Sequence, residues 1–208
     1  DHRDLHLSIR RQRQMCIRDS YSVLVIDRKL GNLFMMSKVS KSPSVFLDRD
    51  GVLNKDIGYV HEPSQINWIP GAKEAVALLK NQGYLVFVVT NQSGIARGLY
   101  TEDEVEYLHA WMNKELLKSG GSSIDDFRYS PYHPAFENET YANFKNWRKP
   151  GPGMILDIIE KWPVDNLRSF LIGDRQSDIK AAEAANITGF LFNGGDLLTF
   201  VEAILASR

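Results

Sequence analysis

The run Phe46-Leu47-Asp48-Arg49-Asp50-Gly51-Val52 decides how the rest of the chain is read. Val45-Phe46-Leu47 is a short apolar run that stops on carboxylates, as a doubly covered strand stops where its sheet meets solvent. Side chains alternate along an extended backbone, so Asp48 and Asp50, flanking Arg49, point the same way. An Asp-x-Asp pair at a strand end is more often a solvated turn than a site. Its meaning depends on what the later strand ends supply.

Working outward, the pattern from Ser44 onward is regular. A helix is predicted over 71–82, where Ala72, Ala75, Val76, Leu78 and Leu79 follow helical spacing and Gly83 supplies the stop. The apolar, β-branched run 84–89 suits a strand buried on both faces. Residues 101–118 read as a helix, with Thr101 as N-cap and Glu104 completing a capping box. A strand over 124–129, a proline-opened helix over 152–161, a strand over 169–172, a helix over 178–185 and a strand over 189–192 follow. Within the long helix, His109 is expected at the surface and Trp111 in the core. Alternating strands and helices imply a parallel sheet with right-handed crossovers, whose ligands bind beyond the carboxyl ends of the strands.

Those ends carry a chemically coherent set. Asp48 and Asp50 are followed by Thr90 and Asn91, then by Gly173, Asp174 and Asp178, while Lys149 stands in the loop before the 152–161 helix. Taken singly, each has a plain structural explanation: Thr90-Asn91 as a turn, Lys149 as a surface lysine, Asp178 as first-turn helix polarity. Together they place two acidic clusters, a hydroxyl and a lysine on one rim. Clustered carboxylates must be neutralised by a shared proton or a cation, and Mg²⁺ is the natural partner. Such a site suits phosphoryl transfer to an aspartate nucleophile, with a second carboxylate moving the proton and Thr90, backbone amides and Lys149 opposing the phosphoryl charge.

Asp48-Arg49-Asp50-Gly51-Val52, Thr90-Asn91-Gln92-Ser93-Gly94, Arg148-Lys149-Pro150 and Gly173-Asp174-Arg175-Gln176-Ser177-Asp178 resemble the four ordered motifs of the haloacid dehalogenase-like phosphatases. Asp48 to Asn54, Gly58-Tyr59-Val60 and Pro70-Gly71 are similar to the heptose bisphosphate phosphatases and the related histidinol phosphate phosphatases. The resemblance implies an α/β Rossmann-like fold, a central parallel sheet flanked by helices with no large cap domain. It implies Asp48 as nucleophile and Asp50 as general acid/base. Mg²⁺ would be held by Asp48, Asp174 and the Asp50 carbonyl, with Asp178 supporting Lys149 or the metal's waters. Thr90 and Lys149 would bind the transferring phosphoryl group, while Asn91, Ser93 and Arg148 orient the substrate. Many relatives carry a zinc loop, yet the four ligand positions here are Ser130, Tyr132, Lys145 and Trp147. Zinc is therefore expected to be absent, with Tyr132, Phe136, Tyr141, Phe144 and Trp147 packing as an aromatic cluster in its place. His61 reads as a structural or rim residue rather than a catalytic one.

Bulk properties narrow the partners. A hydrophobic fraction of 43% with 25% charged residues is that of a globular protein, and no apolar run reaches the roughly 20 residues that span a bilayer. The formal net charge of -1 supplies no basic field for nucleic acid or an acidic membrane. The single Cys16 precludes an internal disulfide. A cytoplasmic monomer acting on a small sugar phosphate is expected, without nucleic-acid or membrane partners. The resemblance points to the 7-phosphate of D-glycero-D-manno-heptose 1,7-bisphosphate, for surface-polysaccharide precursors. Histidinol phosphate, or a broader range of sugar phosphates, stands as the enzymatic alternative, and a non-catalytic phosphate-binding protein as the alternative of another class. The chain divides into an extension over 1–43 and a phosphatase domain over 44–208. Within the extension, 23–26 is strand-like, 30–32 a turn, and 11–20 resembles translated sequencing-adapter sequence; a partly non-native leader and a disordered basic arm are the two readings of 1–20.

Overall fold

Five parallel strands form the centre of a computed structural model that describes residues 40–136 and 139–208. The readings of 1–20, 23–26 and 30–32 lie outside the described residues. The strands are β1 (Ser44–Leu47), β2 (Leu85–Asn91), β3 (Asp126–Ser130), β4 (Phe170–Gly173) and β5 (Thr188–Leu191), in the order β3-β2-β1-β4-β5. Phe46 pairs with Phe87 on one side and Leu171 on the other. The helices are α1 (Ala72–Asn81), α2 (Glu102–Gly120), α3 (Gly153–Lys161), α4 (Gln176–Ala184) and α5 (Leu197–Ala206).

Strand alternation makes three layers. Val45 and Leu47 face a core with α1, α2 and α5, whereas Phe46 faces one with α3 and α4. All four residues of β1 are buried, which explains the unbroken apolar run before the carboxylates. Thr101 caps α2 through a reciprocal bond with Glu104, as its sequence pattern requires. Helix α5 escaped the sequence reading; its signals are Asp196, which accepts from the Thr199 N–H at 2.9 Å, and the inward row Leu197, Val201 and Ile204.

The chain winds outward from β1 to β3, then returns to β4 on the other side of β1. The crevice at that reversal lies beyond the carboxyl ends of β1, β2 and β4. Two excursions frame it. Residues 51–70 carry Asn54, which bridges to Asp50 and to Trp68, and a 3-10 turn at Pro63–Gln65. Residues 131–152 include the 3-10 segment Glu139–Trp147. Both are loops, and among the described residues no inserted cap domain stands between the strands. Among those residues no helix is long and apolar enough to cross a membrane.

Candidate active site

Asp48 follows the last residue of β1, and its N–H bonds the Ile172 carbonyl at 3.0 Å, extending the ladder to β4. Asp174 follows β4, and Asp178 lies in the first turn of α4 with its Oδ2 accepting from the Arg175 N–H at 2.9 Å. Carboxylate atoms of Asp48, Asp174 and Asp178 gather within 4.8 Å of one another. Close packing permits this: at Gly51 (φ +90°) a Cβ would collide with the Asp174 carboxylate, and at Gly173 one would collide with the Asp178 side chain.

Lys149 enters from the loop before α3. Its Nζ lies 2.6 Å from Asp178 Oδ1, 3.0 Å from Asp48 Oδ2 and 2.8 Å from the Val89 carbonyl. Burial alone would lower the Lys149 pKa, but the carboxylates of Asp48 and Asp178 more than offset it and hold the value above normal. Burial pushes the Asp48 carboxyl up to about 7; Asp178 and Asp50 add to the rise and Lys149 opposes it. Asp174 is raised too, first by burial and then by Asp178.

Asp174 Oδ1 is buried with no hydrogen-bond donor, beside two further carboxylates that share one lysine. A divalent cation that prefers oxygen ligands suits this donor set, since it would satisfy the orphaned oxygen and neutralise the remaining charge.

Asp50 is held differently, by hydrogen bonds from side chains rather than among carboxylates. Its oxygens accept from Arg49 (Nη2 to Oδ2, 2.8 Å), Asn54 (2.9 Å) and Gln92 (3.0 Å). Thr90 is buried at the end of β2, its hydroxyl accepting from Gln92 Nε2 at 2.9 Å. Asp48, Asp50, Thr90, Lys149 and Asp178, with Asn91, Ser93 and Arg148, line a cavity of about 440 Å³. Arg148 is half-buried, its guanidinium reaching the Tyr132 carbonyl at 3.3 Å. Its pKa is lowered by burial and by neighbouring Arg97 and Arg175. The structure thus brings all nine candidate residues to one crevice.

The sequence reading assigned no role to five residues. Gln92 links Asp50 to Thr90, and Tyr100 donates to Gln92 Oε1 at 2.7 Å; the signal was Gln92 two places beyond Thr90, on the same side of an extended chain. Asp56 and Arg175 pair across the mouth at 2.6 Å. Arg49 is fully buried behind Asp50. Two expectations need correction. His109 is not a surface residue: it is buried, stacked on Phe127 at 4.5 Å, with Nε2 3.5 Å from Arg49 Nη1. The aromatic residues of the 131–148 loop do not form one cluster. Phe144 meets Trp147 edge-on, Phe136 meets His133 and the Arg97 guanidinium, and Tyr141 packs toward Ile95, Tyr100 and Val105. Trp147 packs against the core beneath α3 and α4, Phe136 against Arg97, and Tyr141 toward Val105 of α2, so each ring has different neighbours. His61 stacks on Tyr100, which lines the cavity.

A family model described as haloacid dehalogenase-like hydrolase matches residues 45–122, and a HAD-hydrolase-like model matches 146–197. A Rhodopseudomonas palustris protein named D-glycero-beta-D-manno-heptose-1,7-bisphosphate 7-phosphatase is 47% identical over 171 residues, 82% of this chain and 94% of that protein. The Escherichia coli K12 protein of the same name is 42% identical over 145 residues, 70% of this chain and 75% of that protein. Among solved structures, a D,D-heptose 1,7-bisphosphate phosphatase from B. bronchiseptica complexed with magnesium and phosphate superposes with a TM-score of 0.70. It is 29% identical, over 80% of this chain and 99% of that one.

Proposed function

The chain belongs to the haloacid dehalogenase-like hydrolases, as a phosphatase, and on that premise we propose that it removes the 7-phosphate of D-glycero-β-D-manno-heptose 1,7-bisphosphate. Asp48 carries the mechanistic reading: a buried carboxylate at a strand end, 3.0 Å from a buried lysine and gathered with two further carboxylates. Its oxygen attacks phosphorus in line and forms an aspartyl-phosphate. Asp50 gives its proton to the departing sugar oxygen. The resulting carboxylate then takes a proton from the water that attacks the phosphoenzyme, releasing phosphate and restoring Asp48.

Lys149 and Thr90 hold the phosphoryl oxygens, and Asp178 keeps the lysine extended toward them. Asn91 fixes the backbone of Lys149, while Ser93 and Arg148 address the rest of the substrate. The side chains of Asp48 and Asp174 and the carbonyl of Asp50 would hold Mg²⁺, which would supply positive charge against the meeting of two anions.

The 131–148 loop frames the pocket without zinc in this reading. Ser130, Tyr132, Lys145 and Trp147 occupy the positions of the zinc ligands of relatives, and other contacts support the loop: the Phe144–Trp147 ring contact and the Arg148–Tyr132 hydrogen bond. The catalytic domain is taken as 44–208 after an extension over 1–43. A monomer completes the reading. A soluble sugar phosphate feeding polysaccharide precursors fits a cytoplasmic enzyme.

Phosphate release from heptose bisphosphate, fructose bisphosphate and histidinol phosphate, with and without Mg²⁺, tests the proposal. The expected result is Mg²⁺-dependent turnover with the highest kcat/KM on the heptose. A preference for histidinol phosphate would overturn the substrate, and no release from any ester would overturn the enzyme.

A further inference from the structure

Arg49 is the largest fully buried side chain among the described residues, and the reaction above gives it nothing to do. A guanidinium removed from water must be matched by charge and hydrogen bonds, or it destabilises the fold by several kcal/mol. Arg49 is matched by the proposed acid itself. Its Nε lies 3.2 Å from Asp50 Oδ1, and its Nη2 lies 2.8 Å from Oδ2 and 3.2 Å from Oδ1. The same Nη2 donates to the Val60 carbonyl at 2.6 Å, and Nη1 faces His109 Nε2 at 3.5 Å.

Consider what else orients Asp50. Asn54 and Gln92 each give it one neutral donor. Among the described residues Arg49 is the only charged group hydrogen-bonded to it, and the only one that spans both oxygens. A fork of this kind fixes the plane of a carboxylate, which one point donor cannot do. Arg49 is itself locked, because α2 presents His109 behind it and the 51–70 excursion presents the Val60 carbonyl. The orientation of the acid is therefore tied to two elements outside its own strand.

We propose that Arg49 is a positioning residue that holds the Asp50 carboxyl in the plane needed for proton transfer and couples it to the excursion over the pocket. The proposal rests on the acid/base reading of Asp50. It predicts a selective defect: Arg49 matters where a proton must reach the leaving group and matters little where none is needed.

The test compares Arg49→Met, Arg49→Lys and Asp50→Asn on two esters. Heptose bisphosphate releases an alkoxide that needs a proton, whereas p-nitrophenyl phosphate releases a stable phenolate. For Arg49→Met, kcat on the sugar phosphate should fall about 100-fold with KM within about threefold, the scale of a lost general acid, while first-turnover nitrophenolate release falls less than about tenfold. Arg49→Lys, with charge but no fork, should show the same selectivity and a smaller loss; if Arg49→Met does not fold, this variant decides the question. Equal losses on both esters, or no loss, while Asp50→Asn keeps its selectivity would overturn the positioning role. If Asp50→Asn itself loses both esters equally, the acid/base reading of Asp50 fails and the Arg49 proposal falls with it.

Discussion

The side-chain amide of Asn91 clasps the backbone of Lys149 from both sides, accepting the lysine N–H at 3.0 Å and donating to its carbonyl at 3.1 Å. Since Lys149 Nζ also donates to the Val89 carbonyl, β2 holds both the main chain and the side-chain tip of a lysine contributed by a distant loop. Asn91→Ala removes both clasping bonds. At about 0.5–1.5 kcal/mol each, the expected loss of stability is about 1–3 kcal/mol in a urea titration, with kcat/KM down about tenfold as Lys149 loosens. Unchanged kinetics would show that the loop holds the lysine unaided.

Asp48→Asn should abolish turnover, by about a thousandfold or more, because an amide is no nucleophile towards phosphorus. The fold should survive: the substitution also removes a buried charge that Asp178 and Asp50 repel. Circular dichroism and phosphate release measured on the same preparation check both halves. Retained activity would mean that another group forms the phosphoenzyme.

Mg²⁺ and protons should compete for the carboxylate cluster. In the folded protein without metal the Asp48 carboxyl sits at about 7, raised from 3.8 chiefly by burial. A raised folded pKa favours the neutral form, so the stability this group contributes is full below about 3.8 and lost as pH rises through about 7. Asp174 is raised in the same direction. Mg²⁺ binds the ionised form, so it should raise the thermal midpoint more at pH 8 than at pH 6. The concentration giving half-maximal activity should climb as pH falls below about 7. A half-maximal concentration independent of pH would count against Asp48 as a ligand.

Gly51→Ala should act on metal binding before it acts on the fold. The added Cβ meets the Asp174 carboxylate, and the backbone at φ +90° is one that a side chain strains. A penalty of about 1–2 kcal/mol in stability is expected, together with a several-fold rise in the Mg²⁺ needed for activity. Calorimetric titration with Mg²⁺ checks the second effect, and an unaltered affinity would place Asp174 outside the metal's reach.

Zinc should be substoichiometric in purified protein, and addition of zinc should not restore activity to a chelated sample as Mg²⁺ does. Elemental analysis decides the first point. One zinc per chain would mean that the 131–148 loop recruits ligands other than the four replaced positions.

Much of this protein was legible because the relevant forces are local. Continuous apolar runs, the 3.6-residue apolar period, the Thr101–Glu104 cap and the stop at Gly83 each act within a few residues, so strands and helices were read to within a residue or two at most ends. The candidate site was legible for a related reason: parallel topology gathers whatever follows each apolar run, so the sequence alone puts Asp48, Asp50, Thr90 and Asp174 on one rim. Only the tertiary structure decided which charge answers which. It set Lys149 between Asp178 and Asp48, turned Arg49 into the interior against Asp50, Val60 and His109, and sent the loop's aromatic rings to separate neighbours. Those choices depend on burial and on partners far apart in the chain, where the cost of an unmatched charge or an unfilled space selects one arrangement among many that the same local pattern allows.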